Sequence, residues 1–167
     1  MQSIWIDTAV LHDLCERLMD GHISYGFGSK AAFKTEPEDI RAIDCSGFVR
    51  YLMYRATNGE VIMPDGSWIQ NDWCRHNHFA TVKYATAADA DGWLRIAFLP
   101  PKKGHAGHVW LILNGMTLES RGHKGPSSRP WDTAILKSQV TDCYLLAQTC
   151  TFFDSPLPGQ EPATMYA

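Results

Sequence analysis

Asp44-Cys45-Ser46-Gly47-Phe48 marks the point where a polar, turn-rich segment becomes an amphipathic helix. Phe48, Val49, Leu52, Met53 and Ala56 follow at i, i+1, i+4, i+5 and i+8, a helical period. Gly59 is placed to end that helix as its C′ residue. The spacing therefore predicts a helix from Cys45 to about residue 57 with a thiol at or beside its N-terminus. Unpaired N–H groups and the positive end of the helix macrodipole favour an anion there. Thiol pKa values in such settings fall to about 3.5–7.5 from roughly 8.5. A lone cysteine is more often a small buried hydrophobe, so the case for chemistry rests on what the remainder of the chain brings to it.

The chain has 167 residues, enough for one domain with its own core. An apolar fraction of 45% and a charged fraction of 20% are those of an ordinary globule. A net charge of −3 gives no basic footprint for nucleic acid. No apolar run approaches the ~20 residues needed to span a bilayer. Met1-Gln2-Ser3-Ile4-Trp5-Ile6-Asp7 lacks the basic and apolar regions of a secretory signal, so synthesis in the cytoplasm with reduced thiols is expected. Five cysteines are an odd number, which leaves at least one thiol unpaired within the chain.

Residues 8–20 read as a first helix, with Val10, Leu11, Leu14, Cys15, Leu18 and Met19 as its apolar stripe, Asp7 or Thr8 as its cap and Gly21 as its end. His22-Ile23-Ser24-Tyr25-Gly26-Phe27-Gly28 is a glycine-punctuated aromatic loop. Residues 29–43 are an exposed, partly charged excursion in which Pro37 excludes a long helix. Residues 58–80, with the turn signal Pro64-Asp65-Gly66, read as a long loop carrying Trp68 and Trp73, a lid or binding wall. A short helical turn is expected at 86–91, and strands at 93–99, 107–113, 116–120 and 142–151. Val109-Trp110-Leu111-Ile112-Leu113 is apolar on both faces and should be a central strand, and Asn114-Gly115 is a two-residue hairpin signal. Residues 121–131 read as a loop, 132–140 are ambiguous, and 154–167 form a loose Pro-rich tail after a single domain over 1–153.

Gly107-His108-Val109 opens the central strand. An imidazole there has rigid support and is suited to take a thiol proton and return it to a leaving amine. His105 sits in a Lys- and Gly-rich loop and is less suited. A third polar group must hold the imidazole in its working tautomer. Glu119, near the end of the next strand, can reach His108 laterally, and His123 is its rival.

These pieces, in this order, resemble the NlpC family of bacterial cell-wall cysteine endopeptidases. Tyr25-Gly26-Phe27-Gly28 is similar to the family's aromatic-glycine motif. Asp44-Cys45-Ser46-Gly47-Phe48-Val49 is similar to its nucleophile motif. Gly107-His108-Val109 with the following hairpin is similar to its histidine hairpin. The resemblance covers roughly residues 8–120. It implies an α+β, papain-like core with N-terminal helices packed on a central antiparallel β-sheet. It implies Cys45 as nucleophile, His108 as base and Glu119 as third catalytic residue. Tyr25 would lie beside the thiolate, and Asp44 and Ser46 would help bind the free amine end of a stem peptide; apart from the resemblance, Trp68 and Trp73 of the 58–80 segment would wall the cleft. The implied reaction is hydrolysis of peptidoglycan stem peptides at the γ-D-glutamyl–diaminopimelate bond, by a monomer that needs no cofactor or metal.

The chain also departs from the family pattern. The third position is more often His than Glu, the usual Gly-Asp before the first strand is Gly92-Trp93 here, and the 58–80 segment is long. A catalytic domain lacking a Sec signal resembles amidase effectors delivered to the periplasm by contact-dependent secretion, for which an immunity or inhibitor protein is the expected partner. Phage lysis or tail enzymes are the other source. Three competing readings stand beside the endopeptidase. One is a CHAP-type amidase cutting another wall amide. Another is a non-catalytic phage structural or binding module. The third is a metal-binding module at Cys74-Arg75-His76-Asn77-His78 joined by His105 or His123.

Overall fold

Helix α1 begins where a carboxylate takes over from the missing helical acceptors. Asp7 accepts hydrogen bonds from the N–H groups of Ala9 at 2.9 Å and Val10 at 3.3 Å, satisfying two orphan donors of the first turn. The helix runs Thr8–Asp20 and buries Leu11, Leu14, Cys15 and Leu18, the stripe read from the sequence. The computed structural model to which these coordinates belong describes residues 4–83, 91–131 and 142–150.

A single 3-10 turn, Pro37–Asp39, is all the helix that Pro37 permits in the excursion before the site. Helix α2 follows at Cys45–Ala56, and every residue of its first turn and a half, Cys45 to Val49, is buried. Its end differs by one residue from expectation. Asn58, not Gly59, holds the left-handed C′ position, with φ 52°. The Gly59 N–H reaches back to the Tyr54 carbonyl at 2.7 Å, which closes a Schellman motif.

The segment 58–80 is not a loop throughout, because a third helix, α3, spans Ser67–His76. Hydrophobic periodicity missed it because the buried face is mostly polar: Gln70, Asn71 and Cys74 point inward and Ile69 is exposed. Their amide NH₂ groups find acceptors inside. Gln70 donates to the carbonyls of Ser46 at 3.0 Å and Pro64 at 2.9 Å. Asn71 donates to Asp142 at 2.8 Å and accepts from the Tyr144 hydroxyl at 2.9 Å.

The sheet comprises β1 (Trp5–Asp7), β2 (Trp93–Leu99), β3 (His108–Leu113), β4 (Met116–Arg121), β5 (Gly125–Ser127) and β6 (Asp142–Cys150). Their spatial order is β1-β6-β2-β3-β4-β5. The sheet is mixed, not wholly antiparallel as expected, because β1 runs parallel to β6 at one edge. That pairing joins positions more than 140 residues apart, so no local turn signal announces it. The 121–131 segment likewise contains a strand, β5, which pairs with β4.

β3 is interior, as its apolar run implies. Val109, Leu111 and Leu113 join the core shared with α1 and α2, while Trp110 and Ile112 pack on the opposite face with Ala97, Trp131 and Cys143. The architecture is thus α+β, with helices on one face of the sheet and an aromatic cluster on the other. The helical turn expected at 86–91 falls, except for Asp91, outside the described residues, as do 132–140 and the tail from 154. No helix among the described residues is long and apolar enough to cross a membrane.

Candidate active site

Cys45 is the first residue of α2 and is 5% exposed. No acceptor among the described residues takes its backbone N–H, as is usual for the first turn of a helix. The residue before it organises the surroundings. Asp44 caps α2 through Oδ1, which accepts from the Gly47 N–H at 2.7 Å and the Ser46 hydroxyl at 3.0 Å. Oδ2 accepts from the Gly28 N–H at 3.0 Å and from the Lys30 ammonium. Gly47 is required here, since a Cβ on it would lie 2.9 Å from both the Ser29 carbonyl and the Lys30 side chain. The loop carrying Tyr25 can cross the helix start only because that space is empty.

His108 enters from the first position of β3 and Glu119 from β4. The β3–β4 register pairs Leu111 with Leu118, which sets Glu119 opposite Trp110 and diagonal to His108. His108 Nε2 lies 2.8 Å from Glu119 Oε2, and its ring stacks on Trp110 at 5.4 Å. The fully buried Glu119 carboxylate also accepts from the Thr117 hydroxyl at 2.8 Å and from Arg129 at 2.6 and 3.2 Å. Burial pushes this carboxyl up, but the hydrogen bonds from His108 and Arg129 and their charges outweigh it and hold the pKa at about 2. Burial likewise opposes a charged His108. Its hydrogen bonds to Cys45 and Glu119, with the attraction of both, outweigh that and raise it to about 9. With Nε2 committed to Glu119, Nδ1 is left to face the sulfur.

Tyr25 completes the surroundings of the sulfur. Its hydroxyl pKa is raised by burial, by the charges of Cys45 and Asp44 and by a hydrogen bond with Cys45. The Tyr25 segment is held by Ser24, whose N–H meets the Arg41 carbonyl at 3.1 Å and whose carbonyl takes the Ile43 N–H at 3.0 Å.

The structure therefore brings Cys45, His108, Glu119 and Tyr25 together. Of the two candidates for the third position, Glu119 meets His108, whereas His123 lies exposed in the β4–β5 turn. His105 is exposed in its loop, as expected. Asp44 and Ser46 are buried, and their oxygens are spent on α2, on the Tyr25 loop and, for Ser46, on the Gly66 N–H at 3.3 Å. Trp68 is half-buried on α3 beneath the Arg75 guanidinium, 5.9 Å from the ring centroid. It follows Ser67, whose hydroxyl would lie 3.0 Å from a Cβ on Gly107. Trp68 therefore borders the start of β3 without any hydrogen bond or ring contact to Cys45, His108 or Glu119. Trp73 packs on the core against Phe79 at 5.3 Å. Cys74 is fully buried, and the His76 ring bonds the Asp72 carbonyl at 2.7 Å. No group of three metal-ligating side chains is found among the described residues.

Sequence reasoning missed Arg129, Thr117 and Lys30. Arg129 had one available signal: a carboxylate proposed to be buried beside a histidine needs a second cation or hydrogen-bond donors to stay ionised.

No protein-family model matches the sequence, and no curated protein does. Solved structures do. One is a Staphylococcus aureus protein described as similar to a lipoprotein of the NLP/P60 family, with a TM-score of 0.55 and 14% identity over 89% of this chain and 45% of that one. Another is an NLPC/P60 family protein from Bacillus cereus, with a TM-score of 0.48 and 20% identity over 79% of this chain and 40% of that one. The chain thus spans less than half the length of these neighbours, and the first of them carries a likeness of fold.

Proposed function

We propose that this chain is a cysteine hydrolase of the NlpC/P60 type that cuts an amide in peptidoglycan stem peptides, and that the bond is γ-D-glutamyl–diaminopimelate. One observation carries the reading: a thiol at a helix start lies beside an imidazole whose Nε2 is held at 2.8 Å by a buried carboxylate that also accepts from Thr117 and Arg129. The fold likeness supports it.

In the proposed reaction the Cys45 sulfur, as thiolate, attacks the amide carbonyl and forms a C–S bond. In this reading the Cys45 backbone N–H and the Tyr25 hydroxyl donate to the developing oxyanion, where one such donor is worth on the order of 10²–10³ in rate. His108 gives its Nδ1 proton to the departing amine as the C–N bond breaks. It then takes a proton from water, whose oxygen attacks the thioester and releases the thiolate. Glu119 stays ionised throughout and keeps Nε2–H pointed at itself.

Muropeptides prepared from sacculi, incubated with wild type and with Cys45→Ala, test the reading. Wild type is expected to release fragments ending in a glutamate whose γ-carboxyl is free, and Cys45→Ala to fall by on the order of 10³-fold or more. Release by both proteins alike, or by neither while circular dichroism shows the native fold, would overturn it. Mass spectrometry of the fragments reads the bond, and cleavage at the sugar–peptide amide would move the chain to the CHAP-type chemistry.

A further inference from the structure

We infer that a second groove, walled on one side by Tyr25, is a carboxylate-binding subsite that selects the acidic form of the stem peptide. This rests on the proposed function and adds to it the part of the substrate that is recognised. The groove has a volume of about 470 Å³, and its walls include His22, Ile23, Tyr25, His123, Lys124 and Pro126. Its titratable lining residues are Lys124, His22, His123 and Tyr25, with no carboxylate among them, on a chain whose net charge is −3. Lysine and histidine N–H groups donate to anions, and Tyr25 is also a neighbour of Cys45. A ligand in the groove therefore lies one side chain from the nucleophile.

The groove is built, not incidental to two loose turns. Gly125, at the start of β5, has φ 69°, and a Cβ on it would sit 2.0 Å from the Ile23 carbonyl oxygen. The β4–β5 turn and the 22–25 segment are thus pressed together backbone to backbone, at a distance only glycine allows. His22 and His123 themselves hold left-handed conformations, with φ 53° and 65°, which places both imidazoles on the groove at some backbone cost. A γ-linked glutamyl residue uses its side-chain carboxyl in the amide and keeps its α-carboxylate free. Diaminopimelate on the leaving side keeps a carboxylate of its own. Either supplies the anion.

The test uses full-length Cys45→Ala, so that binding is read without turnover, and synthetic stem peptides in which one of these carboxylates at a time is replaced by carboxamide. Calorimetry is expected to show the acidic peptide binding about tenfold more tightly than one of the two amides, the value of one charge-assisted hydrogen bond. That amide identifies which carboxylate is held. Lys124→Gln and His123→Asn should each remove most of the preference, whereas Lys102→Gln, in an exposed loop elsewhere, should not. Equal binding of all peptides, or no measurable binding, or a preference that survives both substitutions, overturns the groove. Hydrolysis by the active protein is read separately. If it cuts acidic and amidated peptides equally, the groove falls while the hydrolase stands. If it cuts neither but the preference holds and is lost in Lys124→Gln, the groove stands while the hydrolase falls.

Discussion

Two buried carboxylates stand near Cys45, Asp44 just before it in the chain and Glu119 behind His108, and they have almost the same inventory. Glu119 accepts four hydrogen bonds, two of them from the guanidinium of Arg129. Asp44 also accepts four, one of them from the ammonium of Lys30. The difference lies in the remaining partners. Those of Asp44 are two backbone N–H groups and a buried hydroxyl, none of which titrates or reaches outward. One of those of Glu119 is the imidazole beside Cys45. A saturated carboxylate whose partners are backbone amides holds a fold together. The same carboxylate with one titratable partner sets the protonation of a reacting group.

The sharpest way to break this division is Glu119→Gln. The amide preserves shape but removes the negative charge that, with Cys45, keeps His108 charged, can present its NH₂ in place of an acceptor, and leaves the Arg129 guanidinium without its counter-charge. Hydrolysis is expected to fall by on the order of 10²–10⁴ in kcat/KM, with a loss of about 3 kcal/mol in stability from the unpaired buried partner. The pH dependence carries the same signature. His108, raised from 6.5 to about 9, contributes its stabilisation fully below pH 6.5 and loses it as pH rises through 9. Glu119, lowered from 4.5 to about 2, contributes fully above pH 4.5 and loses it as pH falls through 2. Both contributions coexist between pH 4.5 and 6.5, so thermal melts should show highest stability there. The decline from pH 6.5 to 9 should be on the order of 1–3 kcal/mol. Glu119→Gln should flatten that alkaline decline. An unchanged slope would mean that Glu119 does not govern the imidazole.

How far the sequence could be read follows the same line between local and distant causes. Helices α1 and α2 and strands β2, β3, β4 and β6 were legible because each carries its own period, cap or turn. Cys45, His108 and Glu119 were legible because each sits at a defined position of such an element. Helix α3 was not, because Gln70 and Asn71 face the core on the strength of partners at Ser46, Pro64, Asp142 and Tyr144, and no hydrophobicity scale registers a hydrogen-bonded amide as core. β1 was not, because only Ile6 of its three residues is buried and its partner lies at the far end of the chain. β5, a Gly-Pro-Ser segment, has no strand propensity and owes its place to the missing Cβ of Gly125. Arg129 and Lys30 belong to this second group as well. Each is a cation in a loop, given its role by a carboxylate that only the fold brings near.

Asp44→Ala comes next in size. It removes the cap of α2 and four hydrogen bonds, and leaves Lys30 half-buried without its partner. A loss of about 2–3 kcal/mol is expected in urea unfolding. Activity per folded molecule should fall far less than in Glu119→Gln, and an equal fall would erase the distinction between the two acids.

The smallest effect is the most discriminating. The family resemblance assigns Asp44 to the free amine of a stem peptide, but a substrate ammonium would have to displace the Lys30 ammonium, which is tethered to the chain and already on Oδ2. Wild type should therefore cleave a stem peptide with a free N-terminal amine and its N-acetylated form with kcat/KM values within about threefold of each other, since no net charge is offered to the amine. Lys30→Met should lose only about 1 kcal/mol of stability, as its ammonium is partly solvated, but it uncovers a carboxylate. In that variant the preference should shift towards the free amine. Strict dependence of the wild type on a free amine would mean that Asp44 reads substrate despite its partners, and both carboxylates would then belong to the chemistry.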